Sequence, residues 1–175
     1  MSKIKVDYIV IDNARFLEVC RLYHMWKDLN LSIKTQTTRG INLPDVISEQ
    51  MVCYALDLLW NKGSVGGDAT DKNGSLIEIK ATSNYDSDLT SFSPKTKFDR
   101  LIFFRLEQSK NYADIYDMGI NGESLKTLKT NKTQSVLDQQ NQGRRPRLRL
   151  IEMIDELKLK PICRIDIVGQ KIIKC

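Results

Sequence analysis

Histidine is nearly absent from this chain, with His24 the only one among 175 residues. The four cysteines, Cys20, Cys53, Cys163 and Cys175, lie far apart with no Cys-x-x-Cys spacing. A Cys/His zinc site therefore has little to work with. A hydrolytic centre built on a histidine base and histidine metal ligands is equally poorly served, and His24, beside an apolar stripe, reads as structural. Thiols outside any disulfide framework fit a reduced compartment, so the cytoplasm is expected. No window approaches 18 uninterrupted apolar residues, which argues against a membrane span. The opening Met1-Ser2-Lys3-Ile4-Lys5-Val6-Asp7 lacks the apolar stretch of a secretion signal. Neither a GxGxxG run nor a P-loop is present, so a nucleotide-dependent metabolic enzyme is not indicated. There is no internal repeat and no low-complexity linker, and the length suits one domain, residues 1–175.

A hydrophobic content of 41% is enough for a real core, which excludes a disordered chain. The 27 basic and 22 acidic side chains leave a net charge of +5. If clustered, that excess favours a polyanionic partner; if spread, it is only a solvated surface. Alternation over 3–11 predicts a strand, and Asp12-Asn13 predicts the start of a helix near 13–29, with Phe16, Val19, Tyr23 and Trp26 on one side. A polar, Thr-rich loop should follow over 30–43. Pro44-Asp45 opens a second, largely buried helix running to Trp60. Two runs separated by Asp71-Lys72-Asn73-Gly74 read as a β-hairpin. Strands are expected at 101–106 and 113–118 and a helix around 133–141. After an arginine-rich turn comes a helix with Leu150, Ile151, Ile154 and Leu157 inward, and then a closing hairpin around Gly169-Gln170. This order fits an α/β fold in which helices flank a central mixed sheet.

The hairpin holds the residues with the clearest chemistry. In a strand, positions i and i+2 share a face, so Glu78 and Lys80 point the same way. The turn folds Asp68 back beside residues 77–78, while Ile77 and Ile79 anchor the other face. Two carboxylates with the Ile79 carbonyl are oxygen donors of the kind a hard cation such as Mg²⁺ prefers. A neighbouring lysine can orient water and stabilise charge that develops on phosphoryl oxygens. The spacing alone also suits an amphipathic edge hairpin with a surface ion pair. A second acid-x-lysine run, Glu156-Leu157-Lys158, falls on a predicted helix, where i and i+2 do not face each other. Glu49 interrupts the apolar stripe Val46, Cys53, Leu56 and Trp60, and a buried carboxylate needs a partner.

In their order along the chain, these residues resemble the PD-(D/E)xK nucleases, and type II restriction endonucleases in particular. Gly66-Gly67-Asp68-Ala69, a turn, and Ile77-Glu78-Ile79-Lys80-Ala81-Thr82 resemble the active-site hairpin of that superfamily. Pro44-Asp45-Val46-Ile47-Ser48-Glu49 resembles the acidic helix that precedes it. Phe92-Ser93-Pro94-Lys95-Thr96-Lys97-Phe98-Asp99-Arg100-Leu101-Ile102-Phe103 is similar to the segment leading into the next core strand. Gln139-Gln140-Asn141-Gln142-Gly143-Arg144-Arg145-Pro146-Arg147 resembles a DNA-reading loop. The resemblance spans about residues 44–150. It implies Asp68, Glu78 and the Ile79 carbonyl as Mg²⁺ ligands, Lys80 as the catalytic lysine and Glu49 as an auxiliary acid. Gly67 departs from the pattern by standing where its proline would be, and Asp71 is a possible substitute for Asp68.

The expected partner is double-stranded DNA. Arg144, Arg145, Arg147 and Arg149 precede or begin a helix, where their charge is unfavourable unless phosphates or base edges compensate. Arginine reads guanine bidentately, so a short palindromic site containing G·C pairs is expected; a basic turn making only phosphate contacts is the plainer alternative. Gln139 and Gln140 are expected to read adenine or contact phosphate, and Lys95, Lys97 and Arg100 to position the backbone. Cutting both strands of a palindrome suggests a homodimer, with the helix carrying Phe16, Tyr23 and Trp26 as a candidate interface, although such residues are more often core. Two rival readings stay open. One is a structure-specific nuclease of the same fold, such as a junction resolvase or repair enzyme; the other is a DNA-binding protein without catalysis.

Overall fold

The computed structural model describes residues 7–63 and 67–175. The expected strand over 3–11 lies partly outside these residues; within them Tyr8–Val10 form β1. Helix α1, Asn13–Lys34, starts where Asp12 accepts the N–H of Arg15 at 2.8 Å. It runs one turn further than its apolar spacing predicts, because Asn30 is buried inside the structure. The Asn30 side-chain oxygen accepts the N–H of Ile41 at 2.9 Å, and its amide nitrogen donates to Gln108 at 3.3 Å.

Helix α2, Asp45–Leu56, stops four residues earlier than expected. Asp57 turns the chain with φ of 54°, and Trp60 belongs to strand β2, Leu59–Asn61, rather than to the helix. The supposed helical stripe through Glu49 is thus not continuous, and Val46 at its start is exposed. The hairpin forms as expected from β3, Ala69–Thr70, and β4, Leu76–Thr82, in antiparallel register Ala69↔Ile77. Gly74, at φ of +83°, takes the left-handed position that the Asn-Gly dipeptide signals.

Beyond it come the short strand β5, Thr90–Ser91, then β6, Arg100–Glu107, and β7, Tyr112–Asp117. Helix α3, Gly122–Thr127, occupies a stretch that its polarity hides; α4, Val136–Asn141, is the core of the helix expected around 133–141. Capping boxes start both, from Asn121 and Ser135. Strand β8, Arg147–Leu148, leads into α5, Leu150–Leu157, whose last residue is 60% exposed instead of inward. Strands β9, Cys163–Asp166, and β10, Lys171–Lys174, close the chain.

Among the described residues eight strands form one mixed sheet in the order β1-β2-β3-β4-β6-β7-β9-β10, in which only the β4–β6 pair is parallel. β5 and β8 make a separate two-stranded ribbon. Helices α1 and α2 cover one face through Phe16, Tyr23, Met51, Ile77, Ile79, Phe104 and Ile115. Helices α3, α4 and α5 cover the other through Leu101, Phe103, Tyr116, Leu125, Val136 and Leu150. Phe16, Tyr23 and Trp26 are therefore core residues, which corrects their candidacy as an interface. All four cysteines are free, three of them buried. Among the described residues no helix is long and apolar enough to cross a membrane.

Candidate functional site

The β3–β4 pairing, Ala69↔Ile77 and Thr70↔Leu76, brings Asp68, immediately before β3, beside residues 77–79 of β4. The Asp68 N–H donates to the Ile77 carbonyl at 3.1 Å, and Asp68 Oδ2 accepts the Ile79 N–H at 2.7 Å. In an extended strand one residue's N–H and C=O point to the same side. The Ile79 carbonyl consequently faces the side on which Asp68 stands. Glu78, only 7% exposed, bonds Lys80 Nζ at 2.7 Å, as expected for side chains two apart on a strand. Lys80 Nζ also lies 5.6 Å from the ring centroid of Phe92. Glu49 approaches from α2, held by the Trp60 indole N–H, which donates to Oε2 at 2.8 Å.

Negative charge accumulates here in partly dry surroundings. Burial, reinforced by the neighbouring Glu78 charge, pushes the Asp68 carboxyl up to about 7. Burial also raises Glu49, against the opposing hydrogen bond from Trp60. Asp68 and Glu49, with Ile79 and Lys80, line a cleft of about 910 Å³. Among the described residues no group of three or more His, Cys, Asp or Glu side chains is arranged to hold a metal ion. The donor set still fits Mg²⁺, a hard cation that takes one or two carboxylates and keeps several waters instead of requiring an all-protein cage. Two mutually repelling carboxylates beside an inward-facing carbonyl are such a set.

The missing motif proline has a local explanation. Gly67 has φ of +79°, a conformation closed to proline, whose ring holds φ near −65°. Asp71 is engaged within its own turn. Its carboxylate accepts the N–H groups of Asn73 and Ser75 at 2.8 and 2.9 Å, and those bonds lower its pKa.

The arginine segment is extended rather than helical. Pro146, Leu148 and Leu150 are buried while Arg145, Arg147 and Arg149 are exposed, the alternation of a strand with one face down. Arg145 and Arg149 enter the lining of the cleft; Arg147 lines a neighbouring groove and Arg144 is exposed outside both. Phosphates are not needed to compensate the helix start, since Asp88 already accepts its first N–H groups. The side chains of Gln139 and Gln140 donate within the protein, to Gln134 at 3.3 Å and to the Ser93 carbonyl at 3.5 Å. Lys95 and Lys97 are exposed outside the cleft lining, and Arg100 pairs with Asp117 at 2.7 Å. His24 is exposed and packs against the Tyr23 ring, away from the cleft.

Sequence reasoning missed several cleft residues, among them Asp45, Ser87, Asp88, Ser91 and Ser93. Asp45 was within reach as the acid next to Pro44. The others lie in or beside the two-residue strand β5, in a polar stretch with no periodicity to single them out.

Residues 11–156 match the family described as Bsp6I restriction endonuclease. A curated relative, the type II restriction enzyme Bsp6I of Bacillus sp. (strain RFL6), is 46% identical over 170 residues, covering 96% of this chain and 97% of the relative. No solved structure matches the chain significantly. With the family matched over most of the chain and the relative over nearly all of it, this protein belongs to the Bsp6I restriction endonuclease family.

Proposed function

We propose that the protein is a Mg²⁺-dependent type II restriction endonuclease, hydrolysing phosphodiester bonds of double-stranded DNA at a short palindromic site containing G·C pairs. The observation that carries this reading is the convergence of Asp68, Glu78 and Lys80 beside a cleft that also receives Arg145 and Arg149. Carboxylates and a lysine supply the chemistry, and arginines at the same opening supply attraction for a polyanion. A protein that only bound DNA would have no use for two crowded carboxylates, which repel phosphate.

Asp68, Glu78 and the Ile79 carbonyl would hold Mg²⁺. When bound, the ion supplies charge neutralisation at the phosphate and acidification of coordinated water. Lys80, paired with Glu78, lines the cleft, where it could donate to a phosphoryl oxygen as negative charge develops there. Glu49, fixed by Trp60, adds a carboxylate at the rim that can accept a proton from water. Arg145 and Arg149 hold the backbone of the DNA or read guanine edges, with Arg144, Arg147, Lys95, Lys97, Gln139 and Gln140 extending the contact surface. A two-fold homodimer in the cytoplasm, one subunit cutting each strand, matches a palindromic target.

The test is digestion of unmethylated phage DNA by the purified protein, with Mg²⁺ and with EDTA. Discrete fragments that require Mg²⁺ are expected, and their ends give the site and the stagger. A smear would favour cutting without sequence reading. Intact DNA under both Mg²⁺ and Mn²⁺ would leave DNA binding alone.

A further inference from the structure

The loop that leaves the Lys80 strand also holds the start of helix α5. Asp88 Oδ2 accepts the N–H of Leu150 at 3.0 Å, and Oδ1 accepts the N–H of Ile151 at 2.9 Å. The Thr90 hydroxyl donates to the same carboxylate at 2.6 Å. Arg149, at the N-cap position of α5, provides no side-chain cap of its own. The helix's first amides are thus satisfied by a carboxylate 62 residues away in sequence. This carboxylate stands at the end of a cationic run, where it offsets both the helix N-terminus and the charge of neighbouring Arg149. The attachment continues along the chain. Thr90 and Ser91 pair with Leu148 and Arg147, and the Phe92 N–H donates to the Pro146 carbonyl at 2.9 Å. Asp88 itself lines the cleft together with Asp68, Lys80, Arg145 and Arg149.

We infer that Asp88 is a positioning residue that registers the arginine strand on the strand carrying Glu78 and Lys80, so that DNA held by Arg145 and Arg149 arrives in cutting geometry. The inference rests on the nuclease reading above. Asp88 acts through the backbone of α5 and not on the reacting atoms. Its loss frees two amides and lets the arginine strand shift against β4. The arginines keep their charge and their attraction for DNA, but alignment at the scissile bond suffers, and a displacement of about 1 Å is enough to cost roughly a hundredfold in rate.

The experiment compares cleavage by the unsubstituted protein and Asp88→Ala on two duplexes, one with the site mapped by the phage digest and one with a single base pair changed. Asp88→Ala is expected to lower kcat about 10- to 100-fold while KM changes less than about threefold. The preference for the correct site over the altered one should shrink. Asp88→Asn, whose amide oxygen still accepts one N–H, should recover a large part of the rate. A purely structural role would lower the melting temperature and the active fraction but leave the preference intact, and that result would overturn the inference. So would a folded Asp88→Ala that cuts with unchanged kcat and preference. If Asp88→Ala does not fold, Asp88→Asn decides by site preference: a weakened preference at near-normal KM supports the inference, and an intact preference overturns it. Failure of the unsubstituted protein to cut any DNA would instead sink the nuclease reading, and this inference with it.

Discussion

Lys80 is the residue on which the proposed chemistry turns. Its side chain is 25% exposed, and its ammonium is committed to Glu78 at 2.7 Å, so it is neither freely solvated nor fully buried. Such a group is already desolvated enough to act strongly and open enough to meet a phosphate. Lys80→Ala should still bind the site in gel shift without metal, yet cut about a hundredfold more slowly, the scale for losing one donor to the transition state. Near-normal cutting would remove Lys80 from the mechanism. Gly67 is a second residue whose role is conformational. With φ of +79° and its nearest neighbour atom, the Ile77 carbonyl oxygen, at 3.5 Å from an added Cβ, a side chain there is limited by backbone and not by space. Gly67→Ala should cost about 1–2 kcal/mol, lowering the melting temperature by several degrees. An unchanged melt would show that the turn relaxes without cost.

At the scale of elements, the short ribbon of β5 and β8 explains how arginines face solvent without disturbing the helix behind them. Three apolar residues go down and three arginines stay up, so the segment 145–150 behaves as a strand although its sequence runs directly into a helix. Arg145→Ala and Arg149→Ala should each weaken binding and reduce the slope of log K against log salt by about 1. The check is DNA binding measured across a salt series, and an unchanged slope would mean that they do not neutralise phosphates. Helix α2 illustrates a limit of periodicity. Leu58-Leu59-Trp60 continues an apolar run that reads as helix, but Asp57 turns the chain and β2 pairs on both sides, with β1 and β3. The result is useful, because Trp60 in a strand can reach back to Glu49.

For the molecule as a whole, the sheet is the reference frame that joins distant pieces. Asp114 on β7, 1% exposed, accepts two bonds from Arg164 on β9 at 2.7 and 3.0 Å and one from the Tyr85 hydroxyl at 3.0 Å. It therefore ties the closing hairpin, and the loop that leads to Asp88, to the centre of the sheet. Asp114→Ala should destabilise the fold by about 2–3 kcal/mol, somewhat less than loss from a fully buried pair because Arg164 stays partly hydrated. Chemical denaturation checks this, and a loss below about 0.5 kcal/mol would reduce the cluster to a surface ion pair. What the sequence determined by itself was local. Glu78 and Lys80 share a face because strands alternate, Asn73-Gly74 turns because glycine accepts a left-handed backbone, and Asp12 caps because its side chain reaches the next turn. Only the tertiary structure decided that Asp68 and not Asp71 joins Glu78, that Glu49 is held by Trp60, and that Asp88 carries the start of α5. Those choices depend on which distant backbone amides and indoles come within hydrogen-bonding reach, and long-range strand pairing sets that where near-neighbour spacing has no influence.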